Sequence, residues 1–263
     1  LKYFFHIAYH GHAYRGWQRQ LDSVSVQEVI EDALERVLKE KLTAFGCGRT
    51  DAMVSASQYF FHIETLQQWD FDLVFRLNKV LPDDIAIFDI IPFEEDHHAR
   101  YDATSRSYDY YIHTYKDPFL NEFSSMYMVN DFDLERMKAA AAMLTKYDNY
   151  HAFCKSPEKH NHTICNVTHA ALFHNKEGNR IRFSITANRF LKSMIRMLMG
   201  KIIEIGKGES SLEEFEQMLK TQVNNKFVIP AHPQGLYLSK VTYPFLDIPS
   251  RTDFLPALNS GLF

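Results

Sequence analysis

Tyr3–His10 alternates apolar and polar side chains, the period-two pattern of a strand with one buried face. Gly11–Gln20 (G-H-A-Y-R-G-W-Q-R-Q) then reads as a glycine-bounded turn. Ser25-x-x-Glu28 has the form of a capping box. Behind it, Val26, Val29, Ile30, Ala33, Leu34, Val37 and Leu38 fall on one helical stripe. Gln58–Ile63 alternates again and predicts a second strand. Asp70 is expected to cap a second helix that Pro82 ends shortly after Leu81. Ile85–Ile91 reads as another buried strand.

A similar order recurs further along. Ser107–Thr114 alternates, with Tyr108, Tyr110, Ile112 and Thr114 on one face. Asp131 or Asp133 is expected to cap a helix running to about Leu144. Strands follow near Thr168–Phe173 and Arg180–Ala187, then a helix from about Asn188 to Ile203. Ser211-x-x-Glu214 caps a shorter helix, and Leu236–Val241 reads as the last strand. Both halves mix strands and helices in a split β-α-β manner, which predicts an α+β fold. The expected division is residues 1–102 and 103–263, with no Pro/Gly/Ser linker at the boundary.

Composition narrows the class. The 263 residues, 46% hydrophobic and 24% charged, suit one large or two medium domains with a sizeable core. No apolar run approaches the ~20 residues that span a bilayer. The chain opens on Leu1 rather than Met, so some N-terminal sequence is expected to be missing; Tyr3–Ala8 has the pattern of a strand, not of a signal peptide. Three cysteines are too few for a disulfide framework and fit a reducing cytosol. The formal charge of −4 argues against indiscriminate nucleic-acid binding, but leaves room for a local basic groove.

Four places carry candidate chemistry. Gly46–Ala52 (G-C-G-R-T-D-A) sets Asp51 between a helix and a strand, two residues from Arg49. That is a candidate reaction centre, although a turn aspartate has the same local pattern. On a helical wheel at ~100° per residue, Leu191, Met194, Ile195, Leu198 and Ile202 share one face. Arg189, Lys192 and Arg196 share another, a basic stripe suited to phosphate contact or to plain solvation. Tyr108 and Tyr110, with Arg106 before them, read either as a cross-strand tyrosine ladder or as a base-stacking group. Cys154, His160, His162 and Cys165 form C-x5-H-x-H-x2-C, a loose zinc-like pattern that a histidine-rich surface loop also produces.

Five blocks in order resemble the tRNA pseudouridine synthases of the TruA type. They are Tyr9–Gln20 (Y-H-G-H-A-Y-R-G-W-Q-R-Q), Gly48–Ala56 (G-R-T-D-A-M-V-S-A), His98–Ile112 (H-A-R-Y-D-A-T-S-R-S-Y-D-Y-Y-I), Asn188–Gly200 (N-R-F-L-K-S-M-I-R-M-L-M-G) and Gly235–Pro244 (G-L-Y-L-S-K-V-T-Y-P). The match runs nearly end to end.

The resemblance implies a pseudouridine synthase fold: two ferredoxin-like halves whose antiparallel sheets meet at a central cleft. It implies that Asp51 is the catalytic aspartate and that Arg49 helps unstack the target nucleotide. Tyr108 would stack on the uracil, Arg196 would pair with Asp51, and Leu236 would line the base pocket. Arg106, Arg189 and Lys192 join these as candidate RNA contacts. No cofactor and no catalytic metal are implied. The implied partner is tRNA, bound by a cytoplasmic homodimer at its anticodon stem-loop, with uridines 38, 39 and 40 as targets. Four residues depart from the family pattern: His10 for Asp, His97 for Phe, Met53 for Gly and Ser55 for His. If position 53 needs a positive φ, methionine there is strained. This leaves a second reading, a tRNA-binding homologue whose catalysis is altered or lost, and a third, a metal-dependent protein using the Cys/His loop.

Overall fold

The computed structural model describes residues 1–223 and 228–249. In chain order the elements are β1 (Lys2–Tyr9), α1 (Val26–Leu38), β2 (Phe45–Gly46), β3 (Ser55–Glu64), α2 (Leu73–Val80) and β4 (Ile85–Phe93). Then come β5 (Ser105–His113), β6 (Ser125–Met126), α3 (Leu134–Met143), β7 (Val167–His174), β8 (Arg180–Ala187), α4 (Met194–Gly206), α5 (Leu212–Thr221) and β9 (Leu236–Thr242). Among the described residues no helix is long and apolar enough to cross a membrane.

Contacts divide the described chain into two compact units, residues 1–104 with 237–249, and residues 105–236. Sequence alone placed everything after residue 102 in one domain. The contacts instead return the final strand to the first unit, where Tyr237 and Leu238 pair in parallel with Ser55 and Ala56 of β3.

In the first unit β1, α1, β2, β3, α2 and β4 follow the order of a split β-α-β fold. β1 lies between β4 and β3, antiparallel to both, and β2 is antiparallel to β3. Ser25 caps α1 by accepting from the Glu28 N–H at 3.3 Å. Its stripe is buried at Val26, Ile30, Ala33, Leu34 and Leu38. Asp72, not Asp70, caps α2 by accepting from the Phe75 N–H at 2.9 Å. Apart from its last residue, β3 is buried along its whole length, and so on both faces. One face stacks Phe61 on Phe5 (4.6 Å between centroids) and Tyr59 on Trp17 (4.2 Å). The other sets Phe60 against Tyr243, which donates to the Ala99 carbonyl. Each such aromatic pair adds about 0.5–1.5 kcal/mol beyond the area it buries.

The second unit repeats the order β-α-β-β-α with β5, α3, β7, β8 and α4; β5, β8 and β7 lie side by side in that order, antiparallel, and the short β6 pairs in parallel with β5. Asp133 caps α3 and Ser211 caps α5, each through the N–H three residues on. One element departs from the sequence expectation. The helix predicted from Asn188 begins only at Met194, because Ser193 takes a left-handed backbone (φ 58) that no α-helix continues through.

Candidate active site

In the first unit, Asp51 sits at the start of a tight turn. The Val54 N–H donates to the Asp51 carbonyl at 3.2 Å, and Met53, the third residue of the four, has φ 64. That is the pattern of a type II turn, whose third position favours glycine. The aspartate is therefore both a turn residue and a candidate reaction centre. Methionine at position 53 keeps the backbone that a glycine adopts without strain, at a cost of about 1–2 kcal/mol.

The segment before α1 explains how the turn holds. Gly11 lies so close to it that a Cβ there would stand 2.1 Å from the Val54 carbonyl oxygen. Gly16 (φ +91) approaches the Thr50 carbonyl as tightly, 2.3 Å from an added Cβ. The Gly11 N–H donates to Ser55 Oγ at 2.9 Å, so the serine that replaces the family's histidine ties this segment to β3. Tyr9 and Thr50 share a buried hydroxyl–hydroxyl hydrogen bond of 2.9 Å. The Met53 N–H donates to the Tyr14 carbonyl at 3.0 Å, and the Tyr14 phenol donates to Asp84 Oδ1. Burial and the Asp84 carboxylate push that phenol well above its usual range, so it remains a donor at neutral pH. Tyr59 donates to the Gly48 carbonyl at 2.6 Å. Arg49 is exposed, Thr50 is buried, and Asp51 is partly exposed.

The other departures are also accommodated. His10 donates its backbone N–H to the Asp84 carbonyl at 2.8 Å, a contact independent of its side chain. His97 stacks on Phe245 at 3.6 Å, so an aromatic ring still fills the position.

The remaining candidates lie in the second unit. Tyr108 is partly exposed on β5 and meets Phe190 edge to face at 5.2 Å. Tyr110 is fully buried and donates to the His232 carbonyl at 2.8 Å, which makes it a structural residue. Arg106 donates from Nη1 to the Asn188 carbonyl at 3.1 Å. The Asn188 side-chain oxygen accepts from the backbone N–H groups of Asn166 (2.8 Å) and Arg189 (2.9 Å), so it organises the chain as it leaves β8.

The basic stripe of the helical wheel does not form, because residues 188–193 are not helical. Arg189 reaches His162 Nε2 at 3.2 Å, and Lys192 is exposed, with its carbonyl accepting from the Lys155 N–H. Arg196 alone lies on α4, where its Nε donates to the Ala231 carbonyl at 2.8 Å. Leu236 is buried at the first position of β9.

Among the described residues no group of three or more His, Cys, Asp or Glu side chains is arranged to hold a metal ion. Cys154 and Cys165 are buried thiols, and burial pushes Cys165 up to about 11.

Comparison with known proteins places these features in a family. Residues 140–244 match a family model described as tRNA pseudouridine synthase. The tRNA pseudouridine synthase A of Porphyromonas gingivalis is 35% identical over 246 residues, covering 92% of this chain and 97% of the relative. The chain belongs to the tRNA pseudouridine synthase A family. The Bacteroides fragilis member is 36% identical over 246 residues (92% of this chain, 96% of the relative). The Wigglesworthia glossinidia brevipalpis member is 37% identical over 252 residues (91% and 90%). The family model spans Arg189, Lys192, Arg196 and Leu236, and the relatives extend the likeness over most of the chain. Sequence reasoning did not single out Tyr9, Tyr14, Asp84, Asn188 or Phe190. The only trace of the first two was their place in the Tyr9–Gln20 block.

Proposed function

We infer that this chain isomerises uridine to pseudouridine in tRNA. Membership of a family whose curated relatives are named tRNA pseudouridine synthase A carries the inference. The reaction breaks the C1′–N1 bond of uridine and forms C1′–C5. The C5 proton passes to solvent and N1 takes one up, so composition is unchanged and no redox partner is needed. Positioning and charge are the main demands.

Asp51 serves as the carboxylate, attacking the base or sugar or removing a sugar proton. Its place at the start of a well-held turn supports the role. Arg49, exposed and two residues away, helps draw out the nucleotide. Tyr108, partly exposed and braced by Phe190, stacks on the uracil. Arg196 keeps Asp51 ionised, and Leu236 lines the base pocket. Arg106, Arg189 and Lys192 contact phosphates. In this reading the N-terminal part carries the catalytic aspartate and the C-terminal part completes the cleft. The enzyme acts in the cytoplasm as a homodimer on the anticodon stem-loop at positions 38, 39 or 40. No observation favours a binding protein without catalysis, since the turn that carries Asp51 forms with methionine in it.

The test is tritium release from tRNA labelled at C5 of uridine. Wild type is expected to release tritium, and Asp51→Ala to do so at least ~10²-fold more slowly while keeping the wild-type circular dichroism. Equal release from both overturns the assignment.

A further inference from the structure

The residues that hold the Asp51 turn form a chain of contacts that runs through Tyr14 to Asp84. Within the turn, the Val54 N–H is taken by the Asp51 carbonyl, and the Met53 N–H by the Tyr14 carbonyl (3.0 Å). The position of that carbonyl depends on Tyr14, which is 5% exposed and whose phenol is hydrogen-bonded to Asp84 Oδ1. Asp84 is itself anchored ahead of β4, where its carbonyl accepts from the His10 N–H at 2.8 Å. On the other side of Asp51, Thr50 is tied to Tyr9 by 2.9 Å. Thr50, just before the aspartate, and Met53, two residues after it, are thus each held by a tyrosine.

Only one of the two grips opposes a strained backbone. Thr50 is not among the residues with positive φ, whereas Met53 is (φ 64). A methionine in the left-handed region gains by rotating to negative φ, and a glycine does not. Any loosening of the Tyr14 carbonyl therefore lets the turn relax in this chain, and the first group to shift with it is Asp51.

We propose that Tyr14, locked by Asp84, is a positioning residue for the reaction. It holds Met53 in its left-handed conformation, and so holds the Asp51 carboxylate at its working angle. The proposal rests on Asp51 being the catalytic carboxylate. The lock matters more here than it would with glycine at position 53, because methionine pulls the turn away from its working shape.

The test is a coupling measurement on the full chain. Single-turnover pseudouridine formation and KM for tRNA are measured for wild type, Tyr14→Phe, Met53→Gly and the double variant. Tyr14→Phe is expected to lower the rate about tenfold, with KM changed by less than about twofold, the signature of a misaimed group rather than of lost binding. Relative to Met53→Gly, the double variant is expected to lose less than about threefold, because glycine removes the drive to relax.

Asp84→Ala takes away the lock from the other side and should reproduce the Tyr14→Phe loss and its dependence on position 53. It also serves if Tyr14→Phe does not fold. An unchanged rate in both Tyr14→Phe and Asp84→Ala, or an equal loss in the two backgrounds, overturns the proposal. Asp51→Ala separates the two failures. If it is inactive while Tyr14→Phe matches wild type, only the positioning role fails; if it is active, the catalytic reading fails and the proposal falls with it.

Discussion

Met53 is the residue at which this chain most clearly sets local preference against tertiary demand. Its φ of 64 is that of the third position of a type II turn, and the Gly11 and Gly16 backbones pack closely against the carbonyls of Val54 and Thr50. Glycine at 53 would remove about 1–2 kcal/mol of left-handed strain. It would also add about 0.5–1 kcal/mol of chain entropy to the unfolded state. Met53→Gly is therefore expected to raise stability by about 0.5–1 kcal/mol, read as a higher urea midpoint at unchanged slope; a lower midpoint would contradict the strained turn. The sequence marked Met53 as a departure from G-R-T-D-A-G but left the backbone at that position conditional. A positive φ at a methionine is set by hydrogen bonds to Tyr14 and to Asp51 itself, and no residue pattern encodes them.

At the scale of elements, the sequence was most legible where a cap and an apolar stripe coincide, and least legible at the start of α4. Ser25 and Ser211 cap the helices expected of them, each by accepting the N–H three residues on. The stripe of Leu191, Met194, Ile195, Leu198 and Ile202 has helical spacing from its first member, and all five are buried. Leu191 is nevertheless outside the helix. Asn188 captures two backbone N–H groups and turns the chain out of β8, and Ser193 then reverses it with φ 58. A periodic pattern reports which side chains are buried, not which backbone delivers them. The sign of one substitution separates the two backbones. Ser193→Gly is expected to stabilise the protein by a few tenths of a kcal/mol, measured by urea unfolding, because the position is left-handed. In a helix interior the same change would destabilise by a similar amount.

For the whole molecule, histidines whose pKa burial lowers make stability fall towards acid. Burial, with smaller contributions from the charges of His98 and Lys2, lowers the His62 pKa to about 4. His98 and His113 are lowered too, chiefly by burial. In the unfolded chain such groups bind a proton below about 6.5. Between that pH and about 4 the unfolded state holds more protons than the folded one, so stability falls as pH falls. The full contribution is present above about 6.5 and is lost progressively towards pH 4. At about 1.4 kcal/mol per pK unit, His62 alone accounts for up to ~3 kcal/mol. Urea unfolding at pH 7.5 and 4.5 is expected to show the lower midpoint at 4.5, with the His62 ring still mostly neutral by proton NMR; coincident midpoints would refute this. The strands and helices, their split β-α-β order in each half, and the R-T-D block around Asp51 were determined by the sequence alone, because they rest on periodicity, capping and short-range spacing. The tertiary structure decided the left-handed Met53, the Tyr14–Asp84 lock, the late start of α4 and the return of residues 237–249 to the first unit. These depend on contacts such as Tyr9–Thr50 and Tyr14–Asp84, which join residues 41 and 70 positions apart, and such contacts exist only once the chain has packed.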